Sequence, residues 1–306
     1  MPEDPPRPRL DRKALATALN AVETMGDAPL SEARAAIIDD AWAHPRGRAI
    51  GVTGPPGVGK STLCGRLVQR WRSQGLTVAV LCVDPSSRRG GAFLGDRLRM
   101  RLDGSDPDVF VRSMAARGRL GGLAPRAFEA VTVMRAAADV VLVETVGVGQ
   151  SEVEVADLVE VTAVVIQPGS GDALQFLKAG LMEVFDRLVV NKSDLGALAS
   201  NAARELRAAL RLQGRREVPV HLVSAEDGAG IDVLADALVG GTPDPGRRGD
   251  ALRRLMVDRF RAWHGERIVV ALGGHAALVE ALAGAPDRDT MTPGAAWKAL
   301  ESRLRG

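Results

Sequence analysis

From Ala49 onward the chain alternates two textures. Short runs of β-branched and aliphatic residues, AIGVTG, TVAVLCVD, DVVLVET, TAVVIQP, DRLVVNK and VPVHLVS, are separated by longer stretches with apolar residues at helical spacing. Runs that are apolar throughout, rather than alternating with polar residues, mark strands covered on both faces. Helices between such strands mark a mostly parallel sheet. The pattern predicts six buried strands, an α/β fold with helices on both faces, and functional loops at the C-terminal ends of the strands. Ahead of this core, residues 11 to 25 and 31 to 43 have helical spacing, with Ser31 placed to cap the second helix. Beyond it, GGTPDPGRRGD reads as a polar linker around 240 to 250, followed by helical patterning through Trp263 and a last helix near 295 to 304. The expected division is an N-terminal helical extension at 1–45, a sheet domain at 46–240 and a C-terminal helical region at 241–306. The last region is expected to be too small for a core of its own and suited to packing on the sheet domain or on a second subunit.

Composition narrows the function classes. The 40 basic and 38 acidic side chains are interspersed and nearly cancel to +2, a balance that points to neither nucleic acid nor a membrane surface. Cys64 and Cys82 lie in apolar surroundings without C-x-x-C spacing, which predicts buried thiols rather than a disulfide or zinc framework. The start, MPEDPPRPRL, lacks an apolar signal core, and no run approaches the roughly 18 apolar residues of a membrane span, so a soluble cytoplasmic protein is expected. His44, His221, His264 and His275 are scattered and form no metal-binding tract.

The strongest chemical signal is GPPGVGKST, whose residues Gly54, Pro55, Pro56, Gly57, Val58, Gly59, Lys60, Ser61 and Thr62 follow the strand AIGVT and open a helix-like stretch. This is a complete P-loop in its required context. Its glycines let backbone N–H groups turn around a β-phosphate, the following helix adds the positive end of its dipole, and Lys60 reaches the β- and γ-phosphates. Ser61 is expected to bind Mg²⁺.

NKSD ends the strand RLVV, at the place of a base-reading loop. Asp194 can accept from guanine N1–H and the 2-amino group, a pairing adenine cannot make, while Lys192 lays its stem along the ring and Asn191 braces the loops. In VSAEDG, Ser224 and Ala225 complete the expected pocket, with the Ala225 N–H directed toward the guanine oxygen. The nucleotide is therefore read as GTP or GDP. Three acids are candidates for the metal. Glu144, in ETVGVGQSE, ends a buried strand where the usual acid is Asp, with Gly147 three residues on beside the last phosphate. Asp84 ends the strand TVAVLCVD and Asp96 lies in the following loop; both can face Mg²⁺ directly or through waters, or Asp84 can cap the turn at Ser86 and Ser87.

Taken in order, GPPGVGKST, VDPSSRRGGAFLGDRLRM, LGGLAP, ETVGVGQSEVEVAD, PGSGDALQFLKAG and VVNKSD resemble the MeaB/MMAA-type GTPase chaperones of methylmalonyl-CoA mutase, known also under ArgK and LAO transport names. The likeness spans roughly residues 30 to 305. It implies a P-loop NTPase sheet, Mg²⁺-dependent GTP hydrolysis and a homodimer joined through C-terminal helices. It also implies a partner, a B12-dependent acyl-CoA mutase whose cobalamin loading the protein gates. By the same resemblance Glu144 holds a Mg²⁺-bound water, Gly147 contacts the γ-phosphate and Asp96 is a metal-associated switch residue. Asp84 joins the metal network, and Asp172, Gln175 and Lys178 belong to a loop that answers to nucleotide and partner. Phe93 and Phe176 depart from the family pattern. A nickel-inserting metallochaperone GTPase is the alternative, and an amino-acid transport kinase is disfavoured by NKSD.

Overall fold

The computed structural model describes residues 9–24, 30–84, 100–115, 126–145, 155–169, 185–241, 245–285 and 290–305. Two helices, α1 (Arg12–Thr24) and α2 (Glu32–Ala43), precede the sheet, and the Ser31 side chain caps α2 by accepting from the Arg34 N–H. The strands are β1 (Arg48–Thr53), β2 (Val78–Asp84), β3 (Val109–Ala115), β4 (Val140–Thr145), β5 (Val161–Ile166), β6 (Arg187–Val190) and β7 (Val220–Leu222). Between them lie α3 (Lys60–Ser73), α4 (Ala127–Ala137), α5 (Ala197–Leu212) and then α6 (Ile231–Val239).

All seven strands are parallel, in the order β3-β2-β4-β1-β5-β6-β7. The connection from β1 to β2 and the connection from β4 to β5 thus run in opposite directions across the sheet. The winding reverses there, and in open α/β sheets a reversal of this kind puts the ligand site at the C-terminal ends of the strands, here β1, β4 and β5. The sheet is covered twice. Val80 and Leu142 face α3 and α6 with Leu63, Leu67, Trp71 and Leu234, whereas Ala79, Leu81, Val141 and Val143 face α1, α2 and α4 with Leu19, Ile38 and Met134. Double coverage is why the strands read as continuous apolar runs. The α/β class and the parallel sheet agree with the hydrophobic pattern.

That pattern missed β3, VFVRSMA, because Arg112 and Ser113 interrupt it. As an edge strand β3 needs no second sheet neighbour, and Arg112 is matched by α1: its Nε donates to Glu23 Oε1 at 2.9 Å and its Nη2 to Asn20 Oδ1 at 2.9 Å. The linker reading also needs correction, since α7 (Pro245–His264) begins inside GGTPDPGRRGD. Proline suits a helix's first turn, and tertiary contacts outweigh the two glycines. Arg247 pairs with Asp186 at 2.8 Å, and the Arg248 guanidinium lies 3.7 Å from the Trp42 ring centre.

The C-terminal helices α7, α8 (Glu266–Ala271), α9 (His275–Ala283) and α10 (Pro293–Arg305) bury Leu252, Met256, Phe260, Val269, Leu278 and Trp297 among themselves. This cluster continues through Trp42 and Phe128 onto α2 and α4, so the tail has a small core and docks on the sheet domain as well. Beside that junction Glu129, fully buried in the first turn of α4, pairs with Arg259 of α7 and lies 3.8 Å from Arg126.

One packing contact in α3 allows no side chain. A Cβ on Gly65 of α3 would stand 1.9 Å from the Met100 carbonyl oxygen, where the chain returns toward β3. Gly65→Ala gains helix propensity, yet the obstruction is backbone and cannot rotate away. The variant is expected to lose about 1–3 kcal/mol of stability, read as a lower urea midpoint at unchanged slope; a midpoint at or above wild type would contradict this close approach.

Candidate functional site

The P-loop leaves β1 through Gly54, whose φ of +139° is open to glycine alone and whose Cβ would strike the Val165 carbonyl oxygen at 2.0 Å. It enters α3 through Gly59 at φ +93°, where a Cβ would meet Asn191 Nδ2 at 2.5 Å. Lys60 is buried, and its Nζ donates to the carbonyls of Gly54 at 2.7 Å and Pro55 at 2.9 Å. The ammonium therefore sits inside the loop it belongs to, at the N-terminus of α3.

Glu144 lies in register with Val52 of β1 and Cys82 of β2, which brings its buried carboxylate to the first turn of α3. There Ser61 Oγ donates to Glu144 Oε1 at 2.6 Å, across 83 residues of chain. The neighbouring Thr145 hydroxyl donates to the Thr53 hydroxyl at 2.8 Å, closing the ends of β4 and β1 together. Burial pushes the Cys64 thiol well up, and the Glu144 charge adds to it, so Cys64 stays a neutral packing residue. Ser61 and Glu144 present oxygen donors only, a set suited to a hard cation such as Mg²⁺.

The base-type motif reaches the same end of the sheet from β6. Asn191 is buried and joins two loops: its Nδ2 donates to the Val58 carbonyl at 2.8 Å, and its Oδ1 accepts from the Ala225 N–H at 3.0 Å. The Ala225 amide expected to reach a base oxygen is thus engaged with Asn191. Lys192 takes a left-handed φ of +61°, uncommon for a side-chain-bearing residue, and its ammonium donates to Gln167 Oε1 beyond β5. Asp194 stands exposed, its Oδ1 accepting from the buried Ser224 hydroxyl at 2.8 Å. The N–H of Ala229 and the Ser224 hydroxyl hold the nearby Asp227 carboxyl below its ordinary range.

Gly54, Lys60, Ser61, Glu144, Asn191, Lys192, Asp194, Ser224 and Ala225 are therefore gathered at one end of the sheet. The backbone of Asp84 ends β2 opposite Ala115, two positions beyond the residue paired with Glu144. Asp96, Gly147, Asp172, Gln175 and Lys178 lie outside the described residues. Four participants escaped sequence reading: Arg66, which binds the Ala225 and Glu226 carbonyls; Gln167, which takes Lys192; and Thr53 with Thr145, which pair with each other. None carries a local signal, because each partner is distant in the chain.

A parallel sheet with a P-loop at its central strand and an NKSD loop two strands away defines a P-loop nucleotide-binding protein of the doubly wound α/β class. Within that class the family model described as methylmalonyl Co-A mutase-associated GTPase MeaB matches residues 15–244, and the chain belongs to that family. A relative from Pyrococcus horikoshii is 46% identical over 188 residues, covering 60% of this chain and 57% of that protein. The Mus musculus protein named methylmalonic aciduria type A homolog, mitochondrial, is 40% identical over 198 residues, covering 62% and 48%. The chain thus spans about half the length of these relatives. A crystal structure described as an LAO/AO transport system kinase superposes with a TM-score of 0.59 at 26% identity, over 97% of this chain and 94% of that one. Among the described residues, no helix is long and apolar enough to cross a membrane.

Removing the Asn191 amide strands two buried backbone groups, Val58 O and Ala225 N–H, each expected to cost about 1–3 kcal/mol. Asn191→Ala is expected to lower the melting temperature and to weaken GDP binding at least tenfold in calorimetric titration. GDP affinity equal to wild type would show that the two loops need no such tie.

Proposed function

We propose that this protein is a Mg²⁺-dependent GTPase that gates cobalamin loading of a B12-dependent acyl-CoA mutase, methylmalonyl-CoA mutase or a close relative, and protects it. The observation that carries the reading is the joining of phosphate loop and base loop by one buried side chain, Asn191, with Asp194 exposed beside it. Family membership supports both the hydrolysis and the partner.

In this reading Gly54 to Thr62 hold the phosphates through backbone N–H groups, and Lys60 moves from the Gly54 and Pro55 carbonyls onto the β- and γ-phosphates. Ser61 and Glu144 would hold Mg²⁺, which when bound neutralises charge on the phosphate oxygens. Glu144 accepts the Ser61 O–H hydrogen bond, which would leave the hydroxyl lone pairs for the cation. Asp84 and Asp96 extend the metal network, Gly147 meets the γ-phosphate, and the loop with Asp172, Gln175 and Lys178 carries the nucleotide state to the mutase. Phosphoryl transfer to water depends on positioning and charge neutralisation more than on covalent catalysis, so slow turnover accelerated by a partner is expected. Homodimerisation through the C-terminal helices and a cytoplasmic setting complete the proposal.

Base choice tests the pocket. Asp194→Asn keeps one acceptor oxygen for N1–H and turns the other position into an amide donor, which opposes the guanine 2-amino group and matches the O2 acceptor of xanthine. GTP affinity is expected to fall roughly tenfold to a thousandfold while xanthosine triphosphate binding appears, as measured by titration. Unchanged GTP binding would reduce NKSD to a turn.

The partner is tested by steady-state GTP hydrolysis with and without a purified B12-dependent acyl-CoA mutase from the same organism. Stimulation of about tenfold or more is expected, together with its loss in Lys178→Ala at retained GTP binding. No complex and no stimulation with any such mutase would remove the chaperone role and leave the GTPase reading standing.

A further inference from the structure

The loop that follows β7 is held from outside as well as by its own turns. Arg66 of α3, five residues beyond Ser61, extends its guanidinium across 159 residues of chain, and its Nε donates to the Ala225 carbonyl at 2.9 Å. Its Nη2 also donates to the Glu226 carbonyl. On the other side of the same residue the Ala225 N–H is taken by Asn191. Ala225 is thus clamped at both of its peptide groups, by the NKSD loop through one and by the phosphate-loop helix through the other. Helix α3 is itself firmly seated: Trp71 is fully buried and donates from Nε1 to the Ala235 carbonyl at 3.2 Å, and Arg70 pairs with Asp232 at 3.1 Å, both on α6.

We propose that Arg66 is a positioning residue for base recognition, which fixes residues 224–226 relative to Asp194 and ties the base pocket to the helix that carries Lys60 and Ser61. A planar guanidinium with two donors aimed at successive carbonyls defines an orientation, which a point-charge ammonium does not. The contact acts on the Ser224 hydroxyl as well, because Ser224 is the residue before Ala225 and donates to Asp194. Freed from Arg66, the loop retains its internal bonds, Gly228 N–H to Ser224 O and Ser224 N–H to Ala229 O, both at 2.9 Å, and its tie to Asn191, but loses its direct bonds to the helix that carries Lys60 and Ser61. The consequence falls on how well base and phosphates are held together, and less on the chemistry at the γ-phosphate.

The inference rests on the guanine-nucleotide reading, and the experiment separates the two. Wild type, Arg66→Ala and Arg66→Lys are compared, as full chains, for GDP and ADP affinity, for release of fluorescent GDP, and for kcat and KM of GTP hydrolysis. Arg66→Ala is expected to raise the GDP dissociation constant about tenfold, chiefly through faster release, and to raise KM far more than it lowers kcat. Arg66→Lys is expected to fall between the two. If Arg66→Ala does not fold, Arg66→Gln, which keeps an amide donor on a shorter stem, carries the same comparison. Wild type that binds ADP as tightly as GDP overturns the guanine reading itself. Wild type that prefers GDP, with Arg66→Ala releasing GDP no faster, overturns the role of Arg66 alone. So does a variant whose kcat falls in step with its GDP affinity, since that marks a displaced α3.

Discussion

The placement of β1 between β4 and β5, with the chain turning off its end where no Cβ fits, is the constraint on which the site depends. Parallel pairing on both sides leaves β1 no freedom of register: Val52 is opposite Glu144 on one side and Ala163 on the other. The chain leaves β1 past Val165 through Gly54, whose hydrogen occupies space that a methyl group would contest with a carbonyl oxygen at 2.0 Å. From that exit follow the approach of Lys60 to the loop carbonyls and the 2.6 Å contact of Ser61 with Glu144. A shift of β1 by one residue would turn Ile50 and Val52 from one core to the other and move the P-loop out of register with Glu144.

Around that fixed point the site is assembled from separate loops, joined by side chains that satisfy backbone groups or one another. Asn191 connects the NKSD loop to the P-loop and to the loop after β7, and Lys192 connects it to the end of β5. Such ties are strong because they are largely buried: each leaves an unsatisfied amide or carbonyl behind if it is cut. They also make the pocket a single unit, so that loss at one loop is felt at the others. The exposure of Asp194 contrasts with this and fits a carboxylate meant to meet a ligand.

The C-terminal helices depend on the sheet domain through a mixed junction. Its apolar part joins Phe260 and Trp297 to Trp42 and Phe128, and its charged part sets the buried Glu129 against Arg259, with Arg126 alongside. Removing one member of a buried pair leaves an uncompensated charge, at a cost of about 3–5 kcal/mol. Arg126 and Glu129 stand where α4 begins, directly after the LGGLAP stretch, so the docking of the tail and the start of α4 are parts of one structure.

The sequence by itself determined the α/β class, six of the seven strands, the two leading helices, the P-loop and the base-type motif. Each of these is written in residues a few positions apart, where periodicity and spacing follow directly from local geometry. It determined the family too, through the order of its motifs. Only the tertiary structure decided that VFVRSMA is a strand, since Arg112 is admissible there because α1 supplies Glu23 and Asn20. It also decided that a helix starts at Pro245, where Arg247 and Arg248 find Asp186 and Trp42. The same is true of the contacts that unite the site, Ser61 with Glu144, Asn191 with Val58, and Arg66 with Ala225. These link residues 83 to 159 positions apart, and no local pattern encodes a hydrogen bond whose two halves meet only after the sheet has closed.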